Sequence, residues 1–145
     1  MKYKEVYDLS SKFSPPKIDL RMAEILDSYG DESHAKLPIN HNRPEDVTRE
    51  EFDYYGWIYP FMEVEDILFY FYPILIEYEK DKKFDCIDSF MYTTDRAISD
   101  IQKRLEPHER EALKLGLTRI WEIGGNDYAD WHQCPNLQRF IGISV

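Results

Sequence analysis

Residues 64–80 read VEDILFYFYPILIEYEK, the most apolar stretch of the chain. Large side chains recur there at Val64, Ile67, Leu68, Phe71, Leu75 and Tyr78, and this spacing of three, four and seven belongs to a helix with a buried stripe. Phe69, Tyr72, Ile74 and Ile76 fall outside the stripe, so the helix is apolar around much of its circumference and needs neighbours on more than one side. It is therefore expected at the centre of a small helical domain. Pro73 lacks the amide hydrogen that would reach the Phe69 carbonyl, and its ring crowds that carbonyl. The spacing thus predicts either one kinked helix or a break near Tyr72, with Pro73 at the first position of a new helix.

Working outward towards the N-terminus, Thr48-Arg49-Glu50-Glu51 has the form of a capping box. It predicts a short helix carrying Phe52 and Tyr55 inward and limited by Gly56 and Pro60. Residues 31–43 mix Pro, Asn, His and charge without period and read as a loop that holds His34 and His41. Before it, Asp19 suits an N-cap, the apolar face is expected from Met22, Ile25, Leu26 and Tyr29, and Gly30 suits a left-handed stop. Residues 1–18 end in Ser14-Pro15-Pro16 and read as an extended lead-in.

Towards the C-terminus, Asp81, Lys82 and Lys83 close the central helix, the lysines opposite its negative end. Phe84, Ile87 and Met91 give a short helical face, and Thr94 or Asp95 is placed to cap a further helix with Ile98, Ile101 and Leu105 inward. Pro107 opens a helix patterned on Leu113, Leu117, Ile120 and Trp121, and Gly124-Gly125 ends it. Residues 126–145 read as an irregular tail, with a short turn of helix after Pro135 and an extended end. No segment alternates with a period of two. The expectation is one all-α domain over residues 1–145, a bundle of about six helices.

At 145 residues and 43% hydrophobic, the chain can bury a core without disulfides or metals. Cys86 and Cys134 stand alone, far from any paired motif, and are expected as reduced, buried thiols. No signal-like apolar run and no membrane span is visible, so a cytoplasmic protein is expected. A formal charge of -10 argues against nucleic acid or an anionic membrane as partner, because those surfaces demand clustered Lys and Arg.

That charge is concentrated. Between Pro44 and Asp66 the acids are Glu45, Asp46, Glu50, Glu51, Asp53, Glu63, Glu65 and Asp66, and the lone base is Arg49. Residues 1–43 carry seven acids and seven bases, residues 67–145 thirteen and ten. Phe52, Tyr54, Tyr55, Trp57, Tyr59 and Phe61 are interleaved with the acids. Aromatics that anchor and carboxylates that steer suit an interface with a basic protein. The plainer reading sends the aromatics inward and leaves the acids as a solvated face that favours helix starts.

Catalytic and metal chemistry finds less support. His132-x-Cys134 with Asp127 and Asp130 matches no zinc spacing, and no second Cys or His pair completes four ligands. A Cys134 nucleophile with His34, His41, His108 or His132 rests on no motif. Glu63 with Asp66 and Glu106 with Glu109 share helix faces, yet read as helix-start acids and not as an acid–base pair. The one Gly pair follows a helix, so no phosphate loop is present. No catalytic residue, metal or cofactor is expected.

The runs DILFYFYPILIEYEKD, CIDSFM and EPHEREALKLGLTRIWEIG resemble a loose group of small uncharacterised bacterial proteins. The landmarks are Phe71, Pro73, Glu77, Glu109, Arg110, Ala112, Leu113 and Trp121, over about residues 65–124. Size, acidity and helical build also look like immunity proteins of bacterial contact-dependent growth inhibition and polymorphic toxin systems. Such proteins neutralise a cognate toxin, often a basic nuclease, by covering its active site, and the resemblance implies no catalytic residue.

The expected function is an immunity-type inhibitor that meets a basic toxin domain through Glu45, Asp46, Glu50, Glu51, Asp53 and Trp57, with Glu63 and Asp66 behind them. One alternative is a small hydrolase-like enzyme assembled from His108, Glu109, Asp127 and His132; another is a regulatory domain that binds some other protein.

Overall fold

In a computed structural model that describes residues 1–125 and 133–143, the stretch 64–80 is one uninterrupted helix. The helices in chain order are α1 (Lys4–Ser11), α2 (Leu20–Asp27), α3 (Arg49–Tyr55), α4 (Val64–Lys80), α5 (Cys86–Lys103), α6 (Pro107–Gly124) and α7 (Pro135–Ile141). Single 3-10 turns precede α3 at Pro44–Asp46 and α4 at Tyr59–Phe61, and no strand occurs among the described residues. The all-α expectation holds, in one domain. Helix α4 packs on α1, α5 and α6, which explains why Phe69, Ile74 and the stripe residues from Ile67 to Tyr78 are buried, with Val64 partly so at the helix start.

Pro73 does not break α4, and the turn that leads into it is bridged from another helix. The Ser10 hydroxyl of α1 donates to the Leu68 carbonyl at 2.7 Å and accepts from the Tyr72 amide at 3.0 Å. Those two groups would close a turn directly in a regular helix. A buried side chain from another helix therefore splices the ladder one turn before the proline. Close packing reinforces the joint: a Cβ on Gly116 of α6 would lie 2.5 Å from the Phe71 ring and 3.2 Å from Val6, so glycine lets α1, α4 and α6 meet.

Three boundaries depart from the expectation. Residues 1–18 are not simply an extended lead-in, since Val6, Leu9 and Ser10 are buried on α1, against α4 and α6. Lys2, Tyr3, Glu79 and Arg119 join the N-terminus to α4 and α6, with Arg119 Nε 2.8 Å from the Tyr3 hydroxyl. Residues 86–103, expected as two pieces, form one helix in which Thr94 bonds back to the Phe90 carbonyl at 2.7 Å. Asp95 is mid-helix and caps a different element, accepting the Leu137 amide of α7 at 3.0 Å. The turn of helix expected after Pro135 is present as α7 but runs on through Phe140 and Ile141, where an extended end was expected, because α7 finds its cap on α5 and its core contact through Leu137 and Ile141.

On α2, Asp19 does cap, accepting from the Met22 amide at 2.8 Å. The buried residues are Leu20 and Ala23; of the expected face only Ile25 packs partly against the core, while Met22 is 44%, Leu26 46% and Tyr29 101% exposed. The small stripe lies against α3 and the Tyr59–Phe61 turn, and the bulky one faces solvent.

Candidate functional site

Three helices begin in the same way. The amide of the N-cap residue donates to a carboxylate three residues on: Thr48 to Glu51 at 2.9 Å, Glu63 to Asp66 at 3.1 Å and Glu106 to Glu109 at 2.8 Å. All three acids are buried, at 4%, 1% and 7% exposure. Each also holds a second segment. Glu51 accepts from the Asn40 amide at 3.1 Å and meets His41 Nδ1 at 3.0 Å; Asp66 accepts from the Lys17 amide at 2.7 Å; Glu109 pairs with Lys12 at 2.9 Å. His41 continues inward to the Tyr70 hydroxyl at 2.8 Å, which accepts from the Leu20 amide at 3.0 Å.

Burial alone would raise the Glu51 pKa, but the Thr48 amide, His41 and the Asn40 amide outweigh it and hold the carboxylate below its usual range. Burial wins at Asp66, whose pKa is raised despite amides from Ile18, Glu63 and Lys17. Glu51 and Asp66 are therefore fold anchors, and placing them at a partner-binding surface is corrected: a carboxylate this deep, with its oxygens occupied, has no face to offer.

The remaining acids of the run do not form one surface. Asp46 pairs with Arg43 at 3.2 Å, Glu45 with Arg43 at 3.9 Å and with the Tyr7 hydroxyl, Glu63 with Lys17 at 3.2 Å, and Glu65 with Arg104. Glu45 lines a cleft with Tyr72, Pro73 and Ile76, roughly ten helical residues from Glu63, about 15 Å along α4. Lys17 and Arg104, distant in sequence, thus screen charges that looked uncompensated.

What the fold does bring together is the outer face of α3. Glu50, Asp53, Tyr54 and Trp57 are all exposed and spaced by three, four and seven, opposite the buried Glu51, Phe52 and Tyr55. Gly56, with φ -69° and ψ 0°, keeps the turn near-helical as far as Trp57. It must be glycine, since a Cβ would collide with Cys86 Sγ and come within 2.5 Å of the Phe52 carbonyl. Trp57 is 64% exposed, Tyr54 47% and Phe61 43%. Asp53 Oδ1 is held by Arg49 Nε at 2.9 Å, whereas Glu50 has no side-chain partner among the described residues.

Helix α3 packs on α2, which carries an exposed apolar stripe of its own. Met22, Leu26, Tyr29, Tyr54, Trp57 and Phe61 are six of the eight large exposed apolar side chains among the described residues, and they sit on or directly after α2, α3 and the Tyr59–Phe61 turn, the last two of which pack on α2. Such concentration marks interaction surfaces. Tyr54 and Phe61 were not among the expected site residues; the spacing from Glu50 through Tyr54 to Trp57 was the signal, and exposure decided its meaning.

Two of the four residues of the enzyme alternative, His108 and Glu109, lie among the described residues. His108 and Glu109 line a cleft between α1 and α6 with Glu5, Asp8 and Leu9. Burial opposes ionisation of Glu109, but the Glu106 amide and Lys12 outweigh it and lower the pKa, the reverse of what a general base working near neutrality requires. Asp127, Asp130 and His132 lie outside the described residues. Burial pushes the Cys86 and Cys134 thiols up to about 12, which suppresses the thiolate a nucleophile needs. Among the described residues no three His, Cys, Asp or Glu side chains are grouped to hold a metal ion, and no helix is long and apolar enough to cross a membrane.

No family model, curated protein or solved structure matches the chain.

Proposed function

We propose that the protein is a non-enzymatic binding protein, an immunity-type inhibitor that docks the α3 face onto a basic partner such as a nuclease toxin. The observation that carries the reading is Trp57, 64% exposed on the same face as the unpaired Glu50. Exposed tryptophan and tyrosine on a supported helix supply area at low entropic cost, and neighbouring carboxylates steer and orient a cationic partner. Compared with the linear reading, the docking set narrows to Glu50, Asp53, Tyr54, Trp57 and Phe61, while Glu45, Asp46 and Glu63 are engaged in ion pairs elsewhere on the surface.

The test is calorimetric binding to the toxin domain encoded beside the gene, with Glu50→Lys/Asp53→Lys and Trp57→Ala as variants. Nanomolar or tighter binding that both variants weaken by tenfold or more supports the reading. Unchanged affinity and salt dependence in both would remove the α3 face from the interface.

A further inference from the structure

We infer that the α3 face is built to take an arginine side chain of its partner, in preference to lysine. This rests on the reading that the face docks a basic protein. The protein already contains one instance of the geometry. Arg49 lays its guanidinium over the Phe84 ring, 4.9 Å from the centroid, while its Nε reaches Asp53 at 2.9 Å and its Nη1 reaches Asp81 at 3.4 Å. A flat cation is thus stacked on an aromatic ring and held at its edge by carboxylates, a combination that suits guanidinium better than ammonium.

The outer surface repeats those parts without the cation. Trp57 offers an indole face, Asp53 lies one turn before it with Oδ2 free of Arg49, and Glu50 lies a further turn back with no partner among the described residues. Tyr54 stands between them on the same side. Charge complementarity selects a cation, and the exposed rings select a planar one. Met22 and Leu26 on the adjoining α2 would meet apolar side chains flanking that arginine.

The experiment uses the full chain and two short synthetic peptides that differ only in carrying arginine or lysine at the same positions. Titrations at low ionic strength follow the Trp57 indole N–H and Tyr54 ring signals by NMR, with Trp57 assigned from Trp57→Phe. The expected result is movement of both signals, with the arginine peptide binding at least about threefold more tightly and losing that preference in Glu50→Gln. Equal binding of the two peptides at Trp57 overturns the arginine inference and leaves the basic-partner reading standing. If neither peptide moves the Trp57 and Tyr54 signals, both are overturned.

Discussion

At Ser10 and Glu51, single side chains replace backbone bonding that the chain cannot otherwise complete. Ser10→Ala leaves the Leu68 carbonyl and Tyr72 amide without their bridge in a buried site, and should cost about 1–3 kcal/mol. Urea unfolding checks this as a lower midpoint with unchanged slope. Glu51→Ala removes a helix cap and strands His41 and the Asn40 amide, for an expected loss of about 3 kcal/mol. Glu51 also sets a pH dependence. Its folded pKa lies below the ordinary 4.5, so the unfolded chain takes up the proton first as pH falls. The stabilisation is fully present above pH 4.5 and is lost as pH drops through the lower folded value. The stability gap between the native protein and Glu51→Gln should therefore narrow from pH 6 towards pH 3, and a constant gap across that range would contradict the assignment. Asp66 acts in the opposite sense: its folded pKa is raised, so protonation relieves it.

Among the elements, α4 and α7 each depend on a residue supplied by a neighbour. Pro73→Ala restores an amide that can reach the Phe69 carbonyl and lets α4 close its own turns. The cost of Ser10→Ala should then shrink by more than about 0.5 kcal/mol in the Pro73→Ala background, a coupling that a double-mutant cycle measures. Strict additivity would mean that Ser10 does not serve the proline. Helix α7 is tied to α5 by the Asp95 carboxylate on the Leu137 amide at 3.0 Å and by Asn136. Asp95→Ala should cost about 1–2 kcal/mol and raise amide exchange across residues 135–141 before other helices are affected. Neither dependence was legible beforehand. The 3.6-residue period located α4, and Thr48-x-x-Glu51 located the start of α3, because both are local. Asp95 was placed as a cap for its own helix, since nothing in its surroundings in sequence points to Leu137.

For the molecule as a whole, stability and binding should separate. Trp57 is 64% exposed, so Trp57→Ala should leave stability within about 0.5 kcal/mol, while weakening a docked basic partner by about 2 kcal/mol or more. Thermal unfolding and calorimetry on one preparation check both halves. Binding should weaken with added salt, and less steeply in Glu50→Lys/Asp53→Lys, because exposed charges act through a screened field. The residue order was sufficient for the helical class, the central position of 64–80 and the helix-start role of Glu51, Asp66 and Glu109, since periodicity and caps act within a few residues. It could not show that the acidic run would be divided into buried anchors, separate ion-paired acids and one open face. That division depends on Lys17, Arg43 and Arg104 arriving from outside the run and on which side of α2 and α3 the core claims. Charge and exposure are properties of the packed chain, so only the tertiary structure left Glu50, Tyr54 and Trp57 facing outward together.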